Sequence, residues 1–359
     1  MIMKILLISV RSDFGGGPRH VDQLIEHLSS NFELFVAYPS NGDPYGNKWV
    51  KNDRIKKHFY LPYRKFSLKT LLSLKKFVLD NKIDIIHSHG NGAGFYSRLL
   101  KVIGIKAKII HTFHGISNNH TNLLKGIANS ISGRFFKHFT DCFICVSKGE
   151  YALAQKKKFL IPQKTRIIYN GIEKFPFLQK QPHKFDVVTL SRFDYQKNMD
   201  KALEIARLLK TEDIHFTWVG DGQDFNRIKK TAEQEKLNIS FIGFSKEPFK
   251  YLASASIYLS TARFEGLPYA LIEAASVGLP IIATNVIGNN ETLENGKSGY
   301  LFNTEKEAIN YILCLKNNPS LYANMVLQSK RYFEEHFFLN KMINKLEEMY
   351  QFIYYSQSN

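Results

Sequence analysis

Two segments in the second half of the chain carry charge in patterns that suit a phosphate-bearing substrate. The first is Glu265-Gly266-Leu267-Pro268-Tyr269-Ala270-Leu271-Ile272-Glu273. Pro268 suits the first position of a helix, and Gly278-Leu279-Pro280 suits its end. Glu265 then stands just outside the helix start, where the amides of Gly266 and Leu267 are open to a phosphate. Glu273 falls one and a half turns inside, about 8 Å further along the axis. A carboxylate at each end of such a helix start can hold sugar hydroxyls with one and a ribose diol with the other. The plainer alternative is a helix with solvated glutamates. The second segment, Ser191-Arg192-Phe193-Asp194-Tyr195-Gln196-Lys197-Asn198, puts Arg192 and Lys197 on one strand-to-helix loop. A forked guanidinium and a point-charge ammonium match the two phosphates of a nucleoside diphosphate and can offset their charge as they depart. Two solvated surface cations are the plainer alternative there.

The first half offers glycine and imidazole. Phe14-Gly15-Gly16-Gly17-Pro18-Arg19-His20 precedes the amphipathic run Val21–Leu28 and reads as a loop whose backbone can approach an anion closely. It is not a dinucleotide fingerprint, because both the G-x-G-x-x-G spacing and the later ribose-binding acid are missing. His87-Ser88-His89-Gly90 and His111-Thr112-Phe113-His114-Gly115 each end a strand-like run. Four imidazoles could hold a metal, but no carboxylate or cysteine stands at ligand spacing. Hydrogen-bonding groups lining a cleft are the better expectation, with satisfied structural histidines still open for His87 and His111. Cys142, Cys145 and Cys314 make no disulfide framework, and Cys142 and Cys145 sit three apart on one strand-like run, facing opposite ways.

Such groups need strands and helices to aim them. Short β-branched runs alternate with helical periodicity, the pattern of parallel α/β units. Strands are expected at Lys4–Val10, Glu33–Tyr38, Ile83–Ser88, Lys108–Thr112, Cys142–Val146 and Arg166–Tyr169. A second series follows at Asp186–Ser191, His215–Val219, Ile239–Ile242, Ile257–Ser260 and Pro280–Thr284. Between them, Lys174–Lys184 is polar, aperiodic and bracketed by Pro176 and Pro182. A chain of 359 residues, 44% of them apolar, can bury two cores. The expectation is therefore two doubly wound parallel sheets in tandem, residues 1–178 and 179–334, with Lys330–Tyr355 forming one or two helices. Ligands of such sheets sit beyond the C-terminal ends of the strands, which is where these segments are expected. The opening MIMKILLISV reads as a first strand, being too short in its apolar core for a leader and lacking a cleavage site. No apolar run is long enough to cross a bilayer as a helix.

The net charge of +17 is unevenly placed: residues 1–178 hold 28 Lys and Arg against 11 Asp and Glu, the remainder 21 against 21. One half is thus built to meet something anionic. Lys56-Lys57-His58-Phe59-Tyr60 and Arg64-Lys65-Phe66 lead into the amphipathic Ser67–Leu79, and Arg134-Phe135-Phe136-Lys137-His138-Phe139 is a second basic-aromatic patch. These suit an anionic membrane surface, with solvated lysines on core-facing helices as the alternative. A nucleic-acid partner is disfavoured, since no DNA- or RNA-binding motif accompanies the charge.

Taken in order, these segments resemble glycosyltransferase family 4, retaining enzymes of the GT-B fold, over essentially the full length. The E-x7-E signature appears as Glu265 and Glu273, and the S-R-x-x-x-x-K-N donor loop as Ser191, Arg192, Lys197 and Asn198. Val219-Gly220-Asp221-Gly222, Phe241-Ile242-Gly243-Phe244, Val146-Ser147-Lys148, Asn170-Gly171-Ile172 and the opening Gly15, Gly16, Arg19 and His20 also match. The resemblance implies two Rossmann-like domains facing across a cleft, the first for the acceptor and the second for a nucleotide-sugar donor. It implies that Arg192 and Lys197 bind the diphosphate, Glu273 the ribose, and Glu265 with Gly266 and Leu267 the donor sugar. Phe244 would lie against the base, Gly16 would approach the phosphates, and His114 would lie by the reacting carbon. The last helix, about 335–359, would cross back to the first domain. Asn198 departs from the glycine common at its position in the family.

The activity so implied is a retaining hexosyltransferase of the cytoplasm, peripheral to the membrane. It would act on a glycan or lipid-linked acceptor in capsule, lipopolysaccharide or similar surface-polysaccharide assembly. No cofactor is expected, and with no D-x-D in the chain no metal either. A GT-B epimerase or phosphorylase is the rival, although neither the acidic signature of the one nor the cofactor-lysine context of the other is present.

Overall fold

The computed structural model describes residues 2–40, 44–116, 123–175 and 185–356. They form two units: Met1–Asn170 with Asn340–Asn359, and Gly171–Leu339. The first holds a seven-stranded sheet of β1 (Met3–Ile8), β2 (Phe32–Tyr38), β3 (Ile55–Tyr60), β4 (Ile85–His89), β5 (Lys108–Thr112), β6 (Cys142–Cys145) and β7 (Thr165–Ile167). Its spatial order is β3-β2-β1-β4-β5-β6-β7 and every pairing is parallel. The second holds β8 (Asp186–Leu190), β9 (His215–Val219), β10 (Ile239–Gly243), β11 (Ile257–Ser260), β12 (Ile281–Thr284) and β13 (Gly299–Phe302). Their order is β10-β9-β8-β11-β12-β13, again all parallel.

Helices must cover both faces of a parallel sheet, so its central strands read as unbroken apolar runs. Ile5, Leu6, Leu7 and Ile8 of β1 are fully buried, as are Val187 and Val188 of β8 and Ile257 and Leu259 of β11. The expected strands are all present to within a few residues at their ends. Two strands were not anticipated, β3 and β13, and both lie at sheet edges. An edge strand needs one apolar face at most. In β3 only Ile55 is buried and both lysines are exposed, charges that also keep a free edge from pairing with another chain. The basic-aromatic segment Lys56–Tyr60 is thus mostly sheet.

The tail divides. The helix Pro319–His336 belongs to the second unit, whereas Leu339–Tyr355 packs on the first sheet, where Glu347 accepts from Ser29 N at 2.6 Å and Met349 lies against Cys142. The division falls at 170/171 and 339/340 rather than at 178/179 and 335. Ile172 forms a parallel bridge with Phe338, its N–H donating to Phe337 O at 3.0 Å, which ties the segment after Asn170 to the second unit. A Cβ at Gly171 would stand 2.9 Å from Leu339 Cα, so the two chain segments pass only because residue 171 is glycine. Residues 176–184 of the expected linker lie outside the described residues.

Each sheet reverses its strand order once, between β1 and β4 in the first unit and between β8 and β11 in the second. Open α/β sheets leave a crevice for ligand beyond the strand ends at that reversal.

Candidate functional site

In the second unit the reversal brings the loop after β8 against the loop after β11. Lys197 Nζ meets Glu265 Oε1 at 2.5 Å, and Gln196 Nε2 donates to Glu265 Oε2 at 3.2 Å and to Phe264 O at 3.0 Å. The two charged segments, 68 residues apart, therefore form one cluster. Thr261 Oγ1 donates to Lys197 O and Asn198 O, and Arg263 N donates to Gln196 O at 2.8 Å, which zips the loops together. Asn198 has φ 55°, a left-handed conformation that glycine adopts freely and asparagine tolerates best among other residues, which accounts for the exchange at this position.

Arg192 is arranged differently. Its guanidinium is about half exposed and pairs with Asp194 at 3.0 Å and Gln196 Oε1 at 3.0 Å, within its own loop. Ser191 N donates to Val219 O and Phe193 N to Asp221 O, so the β8 and β9 loops are interlocked. Gly220 N donates to Gly243 O at 2.8 Å, and the chain then turns at Gly243, φ 72°, to present Phe244, whose ring is half exposed.

The helix bearing Glu273 runs Tyr269–Ser276, with Pro268 as its extended cap rather than its first residue. Proline lacks the N–H that a cap position leaves unused, so it fits one residue earlier than expected. Glu273 is the fifth helical residue, about 6 Å along the axis from Tyr269. Glu265 and Glu273 are both buried. A Cβ at Gly288, φ 88°, would stand 2.6 Å from Gly266 O, so this glycine supports the Glu265–Leu267 turn from behind.

In the first unit the helix begins at Gly16 and continues through Gly17, Pro18, Arg19 and His20 to His27, so the glycine segment is the first turn of a helix and not a free loop. Gly16 is exposed at that start. Gly17 lies under His114, whose Cδ2 would be 3.6 Å from a Cβ there. His114 joins His20, His87 and His89, the ring centroids of His20–His114, His20–His89 and His87–His89 being 5.1, 5.3 and 4.1 Å apart. His89 Nδ1 is 3.2 Å from His114 Nε2, and His20 Nδ1 is 3.2 Å from Asn170 Oδ1. His87 is fully bonded, to Tyr350 Oη at 2.6 Å and Thr112 Oγ1 at 2.7 Å, and is structural. His111 lies on the opposite face of β5 with Nδ1 3.1 Å from Ser88 Oγ. Among the described residues, His20, His89 and His111 each keep a buried Nε2 without a protein partner. No group of three metal-ligating side chains occurs among the described residues.

Burial holds His20 at about 4, and burial together with repulsion from neighbouring imidazoles, and from Arg98 at His111, holds His87, His89, His111 and His114 well below the ordinary histidine range. The unfolded chain then binds more protons than the folded one below pH 6.5, so stability is complete above that value and lost as pH falls toward the folded pKa values. Each such histidine steepens the loss of stability as pH falls below the ordinary histidine value. Melting temperature is expected to be level from pH 8 to 7 and to drop steeply between pH 6.5 and 5. A flat profile across that range would contradict neutral burial.

The His114–Gly115 turn is held by a group the sequence did not single out. Glu150, buried on the helix Lys148–Lys156, accepts from Gly115 N at 2.6 Å and Val146 N at 2.8 Å. Glu150→Gln removes one acceptor and is expected to cost about 1–3 kcal/mol, visible in urea unfolding. Gln196, Asn170 and His20 were likewise not foreseen as parts of the site. Each had a signal: Gln196 stands within the cationic loop segment, and Asn170 and His20 within segments that match the family. Of the residues expected to act, Arg192, Lys197, Phe244, Glu265, Gly266, Leu267 and Glu273 lie in the second unit, and Gly16 and His114 in the first.

Comparison with known proteins gives two family matches, Glycosyltransferase Family 4 over residues 14–174 and Glycosyl transferases group 1 over 172–332. Relatives include the Escherichia coli UDP-Gal:alpha-D-GlcNAc-diphosphoundecaprenol alpha-1,3-galactosyltransferase, 26% identical over 79% of each chain. The capsular polysaccharide biosynthesis glycosyltransferase CapH of Staphylococcus aureus is 28% identical over 81% of this chain and 83% of its own. Among solved structures, Anabaena Alr3699/HepE in complex with UDP and glucose superposes with a TM-score of 0.83 at 16% identity, over 97% of this chain and 99% of that one.

Proposed function

The chain belongs to glycosyltransferase family 4, with the GT-B fold, and from that membership we propose that it moves a hexose from a nucleoside diphosphate donor to a lipid-linked glycan in surface-polysaccharide assembly. The observation that carries the donor half is the Lys197–Glu265 pair at the β8/β11 reversal. A part-buried ammonium held by a carboxylate and a zipped loop is preorganised for a pyrophosphate, and it costs no rearrangement when charge builds on the leaving group. Arg192 reaches the second phosphate by leaving Asp194, Glu273 takes the ribose, Glu265 with Gly266 and Leu267 the sugar, and Phe244 the base. The relative and the solved neighbour whose names carry UDP-Gal and UDP favour uracil as that base.

In the proposed reaction the acceptor oxygen bonds to the anomeric carbon on the face from which the diphosphate leaves. The anomeric C–O bond breaks with its electron pair going to the diphosphate, whose oxygen takes the acceptor proton, so configuration is retained. Lys197 and Arg192 supply the positive charge that a metal supplies elsewhere, hence activity undiminished by EDTA. A thermal-shift screen against UDP-, GDP- and ADP-sugars tests the donor assignment, because a ligand of the folded state raises the melting point. No shift with any of them overturns it.

We also assign the membrane contact to the first unit. The helix Leu68–Asp80 buries Leu71, Leu74 and Val78 and exposes Leu68, Leu72 and Leu79, with Phe66, Lys65 and Lys69 exposed beside them. Lys57 and Lys75, by contrast, spend their ammonium groups on Asn81 Oδ1 and Ile103 O. No helix among the described residues is long and apolar enough to cross a membrane. Flotation with phosphatidylglycerol vesicles is expected, weakened by Leu68→Ser with Leu72→Ser and absent with phosphatidylcholine alone. Equal flotation with both lipids would remove this assignment.

A further inference from the structure

Beyond the C-terminal end of β1, two guanidinium groups converge on one carboxylate that the donor chemistry does not use. Arg11 grips Asp13 with both prongs, Nε to Oδ1 at 2.6 Å and Nη2 to Oδ2 at 2.8 Å. Arg64 approaches the same Oδ2 at 3.7 Å, and Tyr63 Oη donates to it at 3.1 Å. Among the described residues no other carboxylate pairs with either arginine, and exposed Lys65 adds a third cation without an ion pair. Burial pushes the Asp13 carboxyl up, but the arginines and Tyr63 more than offset it, so Asp13 is ionised and the cluster keeps two positive charges in excess.

The backbone is arranged around these groups. Arg64 has φ 50°, a strained conformation for a residue with a side chain, and its N–H donates to Val10 O at 3.1 Å. That bond ties the Tyr63–Lys65 turn to the end of β1, with the guanidinium 5.3 Å over the Tyr63 ring. A Cβ at Gly15 would stand 3.0 Å from Arg11 Nη2, so the glycine leaves room for the Arg11 fork. Phe14, about half exposed, packs edge-on to Tyr45 at 5.9 Å beside it.

We propose that Arg11 and Arg64 form the binding site for the diphosphate of a lipid-linked acceptor, taking its oxygens in place of Asp13, with Phe14 and Tyr45 flanking the groups attached to it. Planar guanidinium forks match phosphate oxygens two at a time, and two of them with exposed Lys65 beside them supply the donors and positive charge that a diphosphate requires. The site lies at the strand reversal of the unit that the transferase reading leaves for the acceptor, and the inference rests on that reading.

The test uses the full-length protein with saturating UDP to occupy the donor site, after a UDP thermal shift on the same preparation. Loss of that shift would count against the donor reading and leaves the acceptor site to be judged by the titrations alone. Farnesyl diphosphate is titrated by calorimetry against wild type, Arg11→Gln and Arg64→Gly, the last a change that also suits the left-handed backbone. Each variant is expected to melt near wild type and to bind farnesyl diphosphate about tenfold more weakly, the loss of one charge-assisted contact. Farnesol, which lacks the diphosphate, is expected to bind all three alike. Unchanged affinity for farnesyl diphosphate in both variants overturns the proposal. So does a loss confined to phosphatidylglycerol vesicles without acceptor, which would make the ligand a lipid headgroup.

Discussion

Lys197→Ala is expected to lower kcat/KM for the sugar nucleotide by about 10²–10³, the range seen when one preorganised contact to a departing anion is removed. The cause is specific. Lys197 Nζ sits 2.5 Å from Glu265, its carbonyl accepts from Thr261, and the next residue takes a left-handed turn, so the ammonium is fixed in its place. Arg192 pairs with Asp194 and Gln196 within its own loop, and in the proposed reaction it serves the other phosphate, so it does not replace the lysine. The substitution also leaves Glu265 as a buried carboxylate without its cation, which destabilises the second unit by itself. A double variant, Lys197→Ala with Glu265→Ala, separates the two effects. It is expected to melt closer to wild type than the single variant while remaining as inactive. Recovery of turnover in the double variant would mean that the pair is structural only.

Gly220→Ala is expected to cost about 4 kcal/mol or more, well beyond an ordinary surface change, and to abolish donor binding with it. An added Cβ would lie 1.8 Å from Ser191 O, a backbone atom with nowhere to move, and φ is 137°. Ser191 begins the loop that carries Arg192 and Lys197, so relief of the clash must displace those residues. For a unit of this size the melting point should fall by roughly 8–16 °C. Gly296 provides the control, with φ 79° in the same unit and open space around its missing Cβ. Gly296→Ala should cost only the backbone strain, about 1–2 kcal/mol. Similar losses at the two positions would show that the close approach at Gly220 is not what matters.

Much of this architecture was legible in the chain because parallel sheets advertise themselves. β1, β8 and β11 are buried on both faces, so their apolar runs stand out against the amphipathic helices between them. β3 and β13 escaped because an edge strand needs little apolar character, and β3 is half lysine and histidine by pattern. The helix at Gly16 escaped for a related reason: three glycines and a proline read as a loop, yet a first helical turn tolerates proline because its N–H has no partner there. The glutamates, Arg192 and Lys197 stand out from residue type and spacing alone, and of these the structure brings Lys197 and Glu265 into contact.

Residue order alone thus determined the alternation of strand and helix, the two-unit plan, the polarity that aims loops at one end of each sheet, and the family. Those follow from local periodicity, which a short window of sequence contains. Tertiary structure decided which charges meet. Lys197 pairs with Glu265 across 68 residues, Arg192 turns to its own loop, Glu150 holds the His114 turn, and Arg11 and Arg64 share Asp13. Such pairings depend on strand order and on the few glycines that let backbones touch, and these are settled only when the whole chain packs.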